Sequence, residues 1–151
     1  MESSFNFITI IFLLGAVQGI FLSVLLFNQH QNKAANKYLA FLMLVYSAFI
    51  AESSIAGTDI AEQFPHFLGL VAGAIFLVGP LHYLYARSLM ENSISFSRNH
   101  LLHCVPFLGF YLYYLLPYYL KSGDFKIDYI RTLAVEGQPL SLVLFNWLAV
   151  I

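Results

Sequence analysis

The sequence predicts an all-α fold: a multi-pass transmembrane helix bundle with four complete spans and the start of a fifth. Three observations predict it. Hydrophobic residues make up 60% of the 151-residue chain and charged residues only 10%, against about 25% charged in a soluble domain. The mean hydropathy is +0.74. The charges are also gathered between long apolar runs, and an α-helix crosses a hydrocarbon core about 30 Å thick with ~20 residues. So few charges cannot cover a water-facing surface.

Segment one runs from about Phe5 to Phe27 without a charge. It contains the GxxxG pair Gly15 and Gly19, with Ser23 one turn further, which predicts a close helix–helix contact. Gln18 stands beside that face. It reads as an interhelical hydrogen bond, with ligand sensing as the alternative. Loop one carries Lys33 and Lys37 and no acid. Segment two spans about Tyr38 to Ile55, with Ala40, Ser47, Ala51 and Ser54 on one face. Loop two is assigned Glu52, Asp59 and Glu62, and Phe64-Pro65-His66 breaks the chain after it.

Segment three runs from Phe67 to Ala86 without Lys, Arg, Asp or Glu. Pro80 lies inside it, so a kink and a freed carbonyl near Phe76 are expected there. At helical spacing Gly69, Ala72, Gly73, Phe76, Gly79, His82, Tyr83 and Ala86 share one broad face. Its small residues predict close packing, and His82 is expected to point at protein. An ionisable group inside a span is costly and marks function. Its plainer reading is an imidazole bonded to the carbonyl that Pro80 frees. Arg87 ends the segment as an anchor at the membrane surface.

Loop three, Ser88 to His100, is short and polar. Segment four extends from about Leu101 to Leu120, with Pro106 and Pro117 near its ends. Its far end holds Tyr111, Tyr113, Tyr114, Tyr118 and Tyr119. Such tyrosines read as an interfacial aromatic belt, with a stacking pocket as the alternative. Loop four, Lys121 to Pro139, is the longest connection. A fifth apolar run opens near Leu140, and the sequence given stops at Ile151, about a dozen residues into it. The expectation is a fragment or a truncated gene product.

The net charge of −1 and only seven Lys plus Arg supply no basic patch to neutralise a row of phosphates, so these residues are not expected to bind DNA. Cys104 is the sole cysteine, which rules out an internal disulfide. His100 and His103 are spaced like two metal ligands but lack a third, so no metal is expected. No nucleophile–base pair or phosphate loop stands out, and neither an enzyme nor a cofactor is expected. Orientation follows the Lys and Arg of short loops. With two after the first segment and none before it, the N-terminus is placed outside.

Four stretches, taken in order, carry a resemblance: Gly15-Ala16-Val17-Gln18-Gly19-Ile20-Phe21-Leu22, Ala35-Asn36-Lys37-Tyr38-Leu39-Ala40, Gly79-Pro80-Leu81-His82-Tyr83-Leu84-Tyr85-Ala86-Arg87-Ser88-Leu89, and Leu102-His103-Cys104-Val105-Pro106-Phe107. Together they resemble the membrane half of bacterial AraC-type transcriptional regulators. His82 departs from that pattern, which has an aliphatic residue there. The resemblance implies a sensor and anchor module in the bacterial inner membrane. It implies seven spans in all, and a helix-turn-helix domain beyond Ile151 that alone contacts DNA. The partners expected are the lipid bilayer, a second copy in a homodimer, and a small-molecule or peptide signal. The rival expectations are a fragment of a small-molecule transporter and the sensor half of a membrane histidine kinase.

Overall fold

A computed structural model of the chain describes residues 7–56, 58–90, 102–137 and 143, and its regular elements are all helical. Among the described residues, three stretches are long and apolar enough to cross a membrane: Phe7–Asn28, Lys33–Ile55 and Pro65–Met90. The first two are the single helices α1 (Phe7–Asn28) and α2 (Lys33–Ile55). They are joined by a tight turn in which Asn32 adopts a left-handed φ of 46°, a conformation asparagine tolerates. The Asn36 side chain closes the turn by donating to the Gln31 carbonyl at 2.7 Å.

Small residues set how closely α1 lies on α2. Ala16 and Ser23 are buried on α1, and Ala40, Ser47 and Ser54 on α2. A Cβ at Gly19 would collide with Ser47 Oγ. The seam on α1 is therefore Ala16, Gly19 and Ser23. Gly15 lies one residue out of phase and has open space beside it. The remaining surface of α1 is apolar and exposed, including Phe7, Leu14, Val17 and Phe21. That surface suits lipid, which is as apolar as the side chains themselves.

The third stretch departs from the expectation of one helix kinked at Pro80. After the short α3 (Asp59–Gln63) come a 3-10 turn at Pro65–Phe67 and a second at Ala72–Ala74; only then does α4 (Ile75–Met90) begin. Helix α4 continues through Pro80. The break lies instead at Leu68–Val71, where Gly69 takes a φ of +75° that side chains other than glycine's rarely adopt. This shift corrects the broad small-residue face. Gly69 and Gly73 precede the helix and do not share its register with Gly79. The buried residues of α4 are Phe76 and Leu84, while Gly79 has nothing within 4 Å of where a Cβ would stand.

The fourth segment is also composite. A 3-10 turn at Leu102–Cys104 leads into α5 (Val105–Tyr114), and a π-helical turn follows at Leu115–Tyr119. Pro117 has no N–H for the α-helical ladder, and the wider turn closes through the Leu120 amide on the Leu115 carbonyl at 2.9 Å. The expected loop four is mostly helix: α6 spans Gly123–Glu136. Ser122 caps it by accepting from the Phe125 amide, and Asp124 suits its first turn. Helix α2 packs on both α1 and α4, and α4 meets α5. An aromatic core of Phe76, Phe110, Tyr114 and Tyr118 joins α4 to α5. Most of loop three, and the fifth apolar run apart from Val143, lie outside the described residues.

Candidate functional site

The break at Leu68–Val71 strips several backbone groups of helical partners. In an apolar surrounding each unpaired group costs several kcal/mol. Turn bonds pair some of them, such as the Leu70 amide with the Phe67 carbonyl at 3.2 Å and the Ala72 amide with the Gly69 carbonyl at 3.3 Å, and side chains from elsewhere in the chain serve the others. On the N–H side, the carboxylate of Glu52, in the last turn of α2, accepts the amides of both Gly69 and Val71, the latter at 2.9 Å. On the carbonyl side, three tyrosines of α5 and the π turn donate their hydroxyls. Tyr118 bonds the Leu68 carbonyl at 2.8 Å, Tyr119 that of Gly69 at 2.7 Å and Tyr111 that of Leu70 at 2.5 Å. One carboxylate, on the amides, and three phenols, on the carbonyls, thus clasp four residues of irregular backbone.

Close packing fixes the clasp. A Cβ at Gly69 would stand 2.9 Å from the Tyr118 ring, and one at Gly73 would crowd the Tyr111 ring. The rings also support one another, with centroids of Phe110 and Tyr114 4.8 Å apart and of Tyr118 and Tyr129 5.2 Å apart. Helix α6 closes this end of the bundle. Gly123 lies against Pro65, and Arg131 pairs with Glu62. The buried Lys126 places its Nζ 3.1 Å from His66 Nδ1 and over the Tyr118 ring. In α6, burial pushes the pKa of Tyr129 above the ordinary phenol value, with the charge and hydrogen bond of Tyr114 adding to the shift.

A cavity of about 510 Å³ adjoins the break on the side of α2 and α3. Ala48, Ala51 and Ile55 line one wall, and Phe64, Phe67 and Leu68 another. Glu52, Leu70 and Val71 also face it. The lining is apolar except for one carboxylate, so the cavity suits a hydrocarbon group better than a sugar or a phosphate.

The residues singled out from sequence scatter. Gly69 and Gly73 belong to the clasp, and Gly19 to the α1–α2 seam. Gln18 is exposed, not buried between helices. Pro80 lies within α4 and its neighbour Gly79 faces open space. His82 is exposed; its Nδ1 bonds the Val78 carbonyl at 2.9 Å, four residues back, rather than a carbonyl freed near Phe76. Its ring lies 6.3 Å from that of Tyr46. Tyr83 is exposed and Arg87 sits half-buried in the last turn of α4. His100 and the His103 side chain lie outside the described residues.

Sequence reasoning missed Glu52, which it assigned to a loop, and the bonding role of Tyr111, Tyr118 and Tyr119, which it assigned to a belt. No local signal marks them, because these side chains reach the break from 17 to 50 residues away in sequence. The described fold is thus an all-helical chain with three helices able to span a membrane, built around a clasped interruption. No family model, no curated protein and no solved structure matches it.

Proposed function

We propose that this chain is the membrane-embedded sensor and anchor module of an AraC-type transcriptional regulator in the bacterial inner membrane. On this reading it contributes four spans and the start of a fifth, with its N-terminus outside. The helix-turn-helix domain follows Ile151. The four sequence stretches from Gly15 to Phe107 support the regulator assignment, and the three apolar helices support the membrane. The Glu62–Arg131 pair supports the fourth crossing, because it holds α3 and α6 at one end of the bundle.

The observation that carries the sensor role is the clasp on Leu68–Val71. On this reading the irregular backbone, held by side chains from other elements, switches between two arrangements, bonded and released. A signal acts on it only if it binds one arrangement better than the other. The shift would pass through α4 to the cytoplasmic side and change how two DNA-binding domains pair. The test is a transcriptional reporter driven by the complete gene. Glu52→Gln and Tyr118→Phe should each move the switching threshold without abolishing membrane insertion. Unchanged switching in both would remove the sensor role.

A second reading is a transporter fragment, favoured by the same break. Interrupted helices beside an ionisable residue form the substrate sites of many transporters. Proteoliposomes holding the complete protein decide between them. Solute accumulation would favour transport, whereas ligand-dependent DNA binding would favour the regulator. A kinase core encoded after Ile151 would instead give the sensor half of a histidine kinase.

A further inference from the structure

We propose that the cavity between α2, α3 and the break binds the alkyl chain of a single-chain amphiphile whose head group is uncharged or cationic. Its volume of about 510 Å³ falls in the range of ligand pockets, about 300–1,000 Å³. Ala48, Ala51 and Ile55 on one side and Phe64, Phe67 and Leu68 on the other offer hydrocarbon contact and no donor. The lining holds one ionisable side chain, Glu52. Each of its oxygens accepts one amide, from Gly69 and from Val71. A carboxylate offers about four acceptor sites, so capacity remains for a hydroxyl or ammonium head that donates. An anionic head would meet a like charge in an apolar setting, where repulsion is strongest. Occupancy reaches the clasp directly, because Leu70 and Val71 form part of the cavity wall.

This inference deepens the sensor reading by naming the class of signal. It rests on that reading only for the consequence of binding. The experiment uses the purified chain in lipid nanodiscs with photoreactive diazirine alkanols of octyl, decyl and dodecyl length, and alkyl sulfates of the same lengths. Labelled peptides are mapped by mass spectrometry. Labelling should concentrate between Ala48 and Val71. The half-saturating concentration should fall about fourfold per added methylene, the equivalent of about 0.8 kcal/mol, until the cavity is full. The sulfates should label at least tenfold more weakly. Ala51→Phe, which fills the cavity, should remove the labelling, and Ala48→Leu should shorten the preferred chain. Labelling spread along lipid-facing residues of α1 such as Phe12 and Leu14 would overturn the site. So would equal labelling by alkanol and sulfate. Mapped labelling together with a reporter that ignores the alkanols would keep the site and remove the sensor reading; a responsive reporter without mapped labelling would do the reverse.

Discussion

The Glu52 carboxylate in α2 accepts the Val71 amide at 2.9 Å, across nineteen residues of sequence, and accepts the Gly69 amide with its other oxygen. A charged group near the end of an apolar helix is costly unless it is bonded. Here it does for the interrupted backbone what water does in a soluble loop. Removing it leaves two amides unpaired. At about 1–3 kcal/mol for each buried unsatisfied donor, Glu52→Ala should destabilise the bundle by roughly 2 kcal/mol or more. Glu52→Gln keeps one acceptor and should lose less. Unfolding by sodium dodecyl sulfate in mixed micelles measures both, and equal stability of Glu52→Ala and wild type would dissolve the clasp.

On the carbonyls, the Tyr118 hydroxyl is the donor to Leu68, and the side chain is 5% exposed. Tyr118→Phe keeps the ring and deletes the bond. It should cost about 1–2 kcal/mol. Tyr46→Phe is the matched control: Tyr46 is exposed and its ring contact to His82 survives the change. A cost for Tyr46→Phe equal to that for Tyr118→Phe would mean that the clasp bond is worth nothing net.

Glycine positions separate packing from sequence pattern. Gly19→Leu must drive α1 away from Ser47 and should cost about 1–3 kcal/mol, as overpacking does. Gly15→Leu and Gly79→Leu place their side chains in open space and should be tolerated within about 0.5 kcal/mol. Thermal aggregation of the three variants in detergent ranks them. Gly79→Leu as damaging as Gly19→Leu would show that a further surface packs on α4.

The apolar runs and the small-residue seam between α1 and α2 were legible because composition and helical period report burial directly. The seam on α1 was misplaced by one residue, with Ala16 in place of Gly15, since a GxxxG pair does not say which of its two faces meets the partner. Segment three read as continuous because hydropathy counts side chains and ignores φ; nothing in the apolar run from Phe67 to Ala86 sets Gly69 apart from Gly79. The clasp was illegible for a different reason. Glu52 and the tyrosines meet the break only through tertiary contact, 17 to 50 residues away in sequence. Helix α6 was legible and passed over. Ser122 and Asp124 at its start, Phe125, Tyr129, Ile130 and Leu133 at helical spacing, and Gly137 at its end form a full helix signature.

The proposed orientation and fourth crossing predict how single cysteines react. In a Cys104→Ser background, single cysteines at the exposed positions Gln31, Gln63 and Asp128 should sort into two groups. Gln63→Cys and Asp128→Cys should react with a membrane-impermeant maleimide in intact cells, and Gln31→Cys only after permeabilisation. Labelling of Gln31→Cys alone would reverse the orientation. Opposite behaviour of Gln63→Cys and Asp128→Cys would remove the fourth crossing.

Glu52 holds the interrupted backbone at Gly69 and Val71, and amide hydrogen exchange reads that hold residue by residue. The chain, labelled with ¹⁵N-glycine and ¹⁵N-valine, is placed in nanodiscs and followed by NMR in wild-type and Glu52→Ala forms. The Gly69 and Val71 amides should be protected in the wild type and exchange at least tenfold faster in the variant, while the Val24 amide inside α1 is unaffected. Equal exchange of Gly69 and Val71 in the two proteins would contradict this role of Glu52.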